Sequence, residues 1–190
     1  MMQNNLLKYL NSKAKKFSNK NIFDIVIYGS SIKSKEFPRD TDIAIIFFDK
    51  SLKERLEISQ NFKNLIKDKI PNPDVKGINL SEFLDSSFMA RQGILVEGKS
   101  LITNSPLSLK IGFDSYFLFT YSLKNLNLNE KTKFTYALIG RTNKGMIEKT
   151  KAKSLGKGVF IVPVETSVLF EDFLKEWKIN FELKKILISK

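Results

Sequence analysis

Apolar residues recur at helical spacing over residues 5–17, where Leu6, Leu7, Leu10, Ala14 and Phe17 share one face and lysines fill the other. The period then shortens. Ile22-Phe23-Asp24-Ile25-Val26-Ile27-Tyr28 is β-branched and aromatic and stops at Gly29-Ser30-Ser31, which predicts a buried strand delivered into a tight turn. Thr41 to Phe48 predicts a second buried strand. Helical spacing returns over 51–70, with Leu52, Leu56, Phe62 and Ile66 behind Ser51 as N-cap. The turn Pro71-Asn72-Pro73 leads into a third strand, Asp74 to Leu80, and Ser81-Glu82 open a further helix reaching about Gly98.

Beyond Pro106 the pattern changes. Leu109, Phe113, Phe117, Leu118 and Tyr121 predict a long aromatic-rich helix within 106–127, serving as core or as an oligomer face. A helix over Glu130–Ile139, a strand over Val159–Val164, a helix over Glu165–Trp177 and a final strand or helix over Ile179–Ile188 follow. The lone Trp177, at a helix end, is expected to pack. The compositional shift near Leu101–Pro106 divides the chain into an expected α/β domain, 1–104, and an accessory α+β or helical module, 105–190. The class is thus α/β (α+β), a small mixed sheet flanked by helices with a second module behind it.

One segment carries candidate chemistry. The first strand ends at Gly29-Ser30, and ten residues after Ser30 come Asp40-Thr41-Asp42 at the start of the second strand. Two residues apart on a strand, Asp40 and Asp42 face the same way and can share a hard divalent cation. Glycine lets backbone approach a phosphate, and the Ser30 hydroxyl with nearby N–H groups can hold it. A metal beside a phosphate cradle is the equipment of phosphoryl and nucleotidyl transfer.

The arrangement resembles the DNA polymerase beta-type nucleotidyltransferase superfamily, specifically its minimal nucleotidyltransferase domains, over about residues 20–103. Gly29 and Ser30 match the Gly-Ser element of that signature, and Asp40 and Asp42 match its acidic pair. Ile94 to Leu101 matches the segment that closes such domains. The chain departs from the signature in a spacer without glycine, in Arg39 before the first acid and in Thr41 between the two. The resemblance implies Mg²⁺ (or Mn²⁺) held by Asp40, Asp42 and a third carboxylate, an NTP as substrate, and Gly29 and Ser30 on its phosphates. For the third acid two alignments of the strand compete. One supplies Asp74, the preferred reading, and the other puts Lys76 there, which implies a weakened or inactive site. Strand parity does not separate them.

Composition narrows the alternatives. The 190 residues include neither His nor Cys, which excludes Cys/His zinc sites, Cys nucleophiles, Ser-His-Asp triads and disulfide-stapled folds. No run approaches the ~20 apolar residues of a membrane span, so a cytoplasmic protein without a membrane partner is expected. The 32 Lys and Arg against 20 Asp and Glu give a formal charge of +12. Lys131, Lys133, Arg141, Lys144, Lys149, Lys151, Lys153 and Lys157 face only Glu148 between residues 131 and 157. Such a run reads either as a flexible phosphate-backbone contact surface, with Arg141, Lys144, Lys149, Lys151, Lys153 and Lys157 as its candidates, or as a solvated loop. Three functions remain in play. They are NMP transfer to a nucleic-acid hydroxyl, adenylylation of a protein partner as in antitoxins of this superfamily, and a non-catalytic nucleic-acid-binding relic of the fold.

Overall fold

The computed structural model describes residues 2–29 and 40–189, and the fold is mixed α/β. The chain forms two compact units, Met1–Gly112 and Phe113–Lys190.

Unit 1 is built on a four-stranded sheet. Its elements are α1 (Met2–Phe17), β1 (Ile22–Tyr28), β2 (Thr41–Phe47), α2 (Leu52–Ile66), β3 (Pro73–Asn79), α3 (Leu80–Leu84), α4 (Arg91–Glu97), β4 (Lys99–Ser100) and α5 (Leu107–Lys110). The sheet order is β3-β2-β1-β4, with β2 and β3 parallel and the other pairs antiparallel. The mixed sheet expected from the sequence is therefore present.

Alternation along the strands sends side chains to two cores. Ile25, Ile27, Ile43, Ile45 and Phe47 meet Leu10 and Ala14 of α1 and Phe62 and Ile66 of α2. Val26, Ala44 and Ile46 meet Phe83, Ile94 and Leu107 on the opposite face. Ser51 caps α2 as predicted, and its reciprocal capping box with Glu54 fixes where the helix begins.

Two charged groups anchor this unit. Asp24 is 0% exposed, yet it accepts hydrogen bonds from Ser100 Oγ at 2.7 Å and the Ile25 N–H at 2.8 Å. Lys110 Nζ completes its shell at 2.9 Å, so the buried carboxylate is paired as well as hydrogen-bonded. Arg55 of α2, 8% exposed, forms a two-pronged pair with Glu82, one arm at 3.0 Å, and also reaches the Gly77 carbonyl at 3.4 Å. That pair ties α2 to β3 and to the start of α3.

The helix predicted from Ser81 to about Gly98 is two helices. Asp85 accepts hydrogen bonds from the Ser87 N–H at 2.8 Å and Ser87 Oγ at 2.7 Å, a local side-chain turn that competes with helix continuation.

Unit 2 contains β5 (Phe113–Ser122), α6 (Leu128–Ile139), α7 (Met146–Thr150), β6 (Lys153–Gly156), β7 (Val159–Pro163), α8 (Ser167–Glu176) and β8 (Asn180–Ser189). Its sheet, β6-β7-β5-β8, is antiparallel throughout. Here the structure corrects the sequence reading. The aromatic run is not a helix over 106–127 but the strand β5, preceded by a helix of four residues. Gly112, at φ +86°, turns the chain out of that helix in a conformation other residues resist. Phe117 and Phe119, two apart, are then buried on one face of a strand whose aromatic content suits a pleated surface. The ambiguous final segment is likewise a strand. The basic run spans most of α6, an irregular stretch over 140–145, the short helix α7 and a hairpin, with Lys153–Gly156 pairing with Val159–Pro163.

Candidate active site

The register of unit 1 assembles the site. β1 and β2 pair Tyr28 with Asp42, and the parallel β2–β3 ladder pairs Asp42 with Asp74 and Ala44 with Lys76. Residues opposite one another in a sheet share a face. Tyr28, Asp42 and Asp74 therefore stand in a row at one end of the sheet, on the face that carries Val26, Ala44 and Ile46. Asp40 lies just before β2 and is exposed. Ser30 falls outside the described residues.

Gly29 shows why no larger residue suits this corner. It sits at φ +76°, and a Cβ there would come within 2.8 Å of Asp42 Oδ2. The absent side chain leaves the carboxylate oxygen uncovered against bare backbone.

The electrostatics follow from this row. Asp42 is half-buried, and its pKa is raised, first by burial and then by the neighbouring Asp74 charge, with Asp40 adding and Lys76 opposing. Burial foremost, and then Asp42, push the Tyr28 phenol up as well. Lys76 Nζ lies 3.1 Å from Asp74 Oδ2, with the two side chains 63% and 49% exposed. That hydrogen bond raises the lysine's pKa and keeps it an ammonium.

Both residues left open for the third position are thus at the site. Asp74 is directly opposite Asp42, and Lys76 is bonded to Asp74. Among the described residues no three acidic side chains converge closely enough to hold a metal together. The donor chemistry still fits a hard cation. Asp42 and Asp74 are oxygen ligands on adjacent strands, and their mutual repulsion is what a divalent ion relieves. Asp40 is near enough for its charge to be felt at Asp42.

The six basic candidates are dispersed through unit 2. Lys144 is paired with Glu148 at 2.7 Å, and the Arg141 guanidinium sits 5.1 Å from the Tyr136 ring centroid. Lys153 lies 5.9 Å from that of Tyr116. Lys149 is on α7, Lys151 follows it in a left-handed turn at φ +56°, and Lys157 stands in the β6–β7 turn.

Sequence reasoning missed Tyr28 and the Arg55–Glu82 pair that braces β3. The antiparallel return from Tyr28 to Asp42 was the available signal for the first. The second depends on α2 packing beside β3, which no local pattern states.

No protein-family model matches the chain, and no curated protein matches its sequence. Among solved structures, a tri-AMPylated HEPN toxin from Shewanella oneidensis in complex with an MNT antitoxin is similar at 21% identity and a TM-score of 0.36, over 50% of this chain and 71% of that one. The toxin–antitoxin MntA-HepT is similar at 18% identity and a TM-score of 0.33, over 51% of this chain and 70% of that one. Likeness at this level assigns neither a family nor a function.

Proposed function

We propose that unit 1 is a metal-dependent nucleotidyltransferase that moves an NMP from an NTP to an acceptor hydroxyl, releasing pyrophosphate. The observation that carries this reading is the corner where Gly29 leaves Asp42 uncovered beside Asp74 in register. Asp42 and Asp74 would hold Mg²⁺ or Mn²⁺, which when bound supplies charge neutralisation for the triphosphate, and Asp40 is assigned to the ion from the sequence pattern. Gly29 gives the phosphates room beside the Asp42 carboxylate, and Ser30 is assigned to them from the sequence pattern. Asp74 takes the proton of the attacking hydroxyl at its carboxylate. Lys76 holds one oxygen of Asp74 and so orients that carboxylate. Arg55, through Glu82 and the Gly77 carbonyl, steadies the strand that carries both.

The acceptor proposed is the hydroxyl end of a nucleic acid, supported by the excess of Arg141, Lys149, Lys151, Lys153 and Lys157 in unit 2. Labelled NTP with Mg²⁺, offered an oligonucleotide or a protein mixture, tests both parts. Label on the oligonucleotide that disappears in Asp42→Asn supports the reading. Label on protein alone moves the acceptor to a polypeptide, and equal labelling by Asp42→Asn removes the site.

A further inference from the structure

Unit 2 holds a cleft of about 530 Å³, the size of a small-molecule site, that the reading above does not use. Its walls come from three separate stretches of chain. Tyr121 and Lys124 belong to the end of β5 and the turn after it, Lys131, Phe134 and Leu138 to α6, and Lys157 to the β6–β7 turn. Between residues 131 and 157 the sequence offers few aromatics beside its lysines, but the fold brings Tyr121 across from another strand.

The floor is aromatic. Phe134 is 0% exposed and meets Tyr121 edge-on at 5.6 Å, while Tyr121 stacks on Phe160 at 6.0 Å with rings 9° apart. Burial holds the Tyr121 phenol up at about 12, so it is neutral. The rim is cationic. No acidic residue lines the cleft, and Lys124, Lys131 and Lys157 form no ion pair among the described residues. An aromatic floor suits an aromatic ring. Three uncompensated ammonium groups suit an anion of more than one charge, which a phosphate ester provides and a single carboxylate does not.

We propose that this cleft binds a nucleotide unit, with the base against Tyr121, which Phe134 backs, and the phosphate among Lys124, Lys131 and Lys157. The unit is either a free nucleoside monophosphate or the 5′-phosphorylated terminal nucleotide of a single strand, and it requires no metal. The proposal stands apart from the unit 1 site.

Calorimetry on the full chain, with EDTA present and in the Asp42→Asn background, isolates it from metal-dependent nucleotide binding. The expected result is saturable binding of 5′-AMP, at least about tenfold weaker for adenosine. Lys131→Ala with Lys157→Ala should cost a further factor of about ten, and the corresponding double arginine variant should stay within about threefold of the parent. Trp177, the one tryptophan, packs 5.6 Å from Phe134, so its emission should shift on saturation. A 5′-phosphorylated tetranucleotide that binds at least as tightly as AMP identifies the strand end as the ligand, and one that binds far more weakly identifies the free nucleotide. No saturable binding of either, equal binding of adenosine, or indifference to the double alanine variant overturns the proposal.

Discussion

The two sheets of this protein hold their polar groups in opposite ways. In unit 1 the acids Asp42 and Asp74 are neighbours because one ladder register makes them so, and their chemistry is concentrated at one sheet end. In unit 2 the lysines of the cleft come from a strand end, a helix and a hairpin turn, and they meet only around a shared aromatic floor. A site written by register is compact in sequence and survives as a motif. A site written by packing is scattered along the chain and exists only once the core has formed. The contrast predicts that unit 1's site fails by loss of a single oxygen, and unit 2's by loss of the floor.

The largest effects test those two failures directly. Asp42→Asn keeps the shape of the side chain and removes its charge, so NMP transfer should fall by ~10²–10³ or more with the circular dichroism spectrum unchanged. Activity within about twofold of the parent would detach the chemistry from the strand register. In unit 2, Phe134→Ala empties a position packed by Tyr121, Phe173 and Trp177. The expected cost is ~3–5 kcal/mol, read from denaturant unfolding followed by Trp177 emission. A cost under ~1 kcal/mol would mean that the floor does not organise the unit.

A smaller effect separates buried from exposed charge. Lys110→Ala leaves the Asp24 carboxylate buried, with only Ser100 Oγ and the Ile25 N–H to satisfy it. Because the lysine is itself 32% exposed, the expected loss is about 2–3 kcal/mol rather than the full cost of breaking a buried pair. Lys144→Ala, which breaks an exposed pair with Glu148, should change stability by less than ~0.5 kcal/mol. Equal losses from the two would show that Asp24 is not desolvated as its burial implies.

How much of this was legible from residues alone follows the same division. Ile22–Tyr28, Thr41–Phe47, the Ser51 cap and the Gly29 turn are local patterns, each contained in a few neighbouring residues, and they read correctly. Leu109, Phe113, Phe117 and Tyr121 also sit at helical spacing, and the period misled. Phe117 and Phe119 mark strand alternation, but Tyr116 and Leu118 blur it by being apolar on the other face as well. What decided the outcome is the pairing of β5 with β7 and β8, a non-local fact. The choice between Asp74 and Lys76 was undecidable from parity, since both lie on one face. In the fold Asp74 stands opposite Asp42 in register and Lys76 is bonded to Asp74.

A small effect sharpens the comparison most, because it asks whether the row of acids in unit 1 is stabilising at all. Burial, and after it the Asp74 charge, raise the pKa of Asp42 in the folded protein. A raised carboxylate pKa means the folded state holds that proton more tightly than the unfolded one. The stability this contributes is fully present below the unfolded carboxylate pKa and is lost as pH rises through the folded one. At neutral pH the ionised Asp42 therefore works against folding. Asp42→Asn should melt higher than the parent at about pH 7, by roughly 2 °C, and the gap should close on acidification to about pH 3. Because Asp42 is only half-buried, water screens it and the shift stays small. Mg²⁺ should reverse the order at neutral pH by raising the parent's melting temperature and leaving the asparagine variant where it was. A variant that melts below the parent at pH 7 without metal would show that the acidic row is held by favourable contacts, like Asp24, and is not a repulsive cluster awaiting a cation.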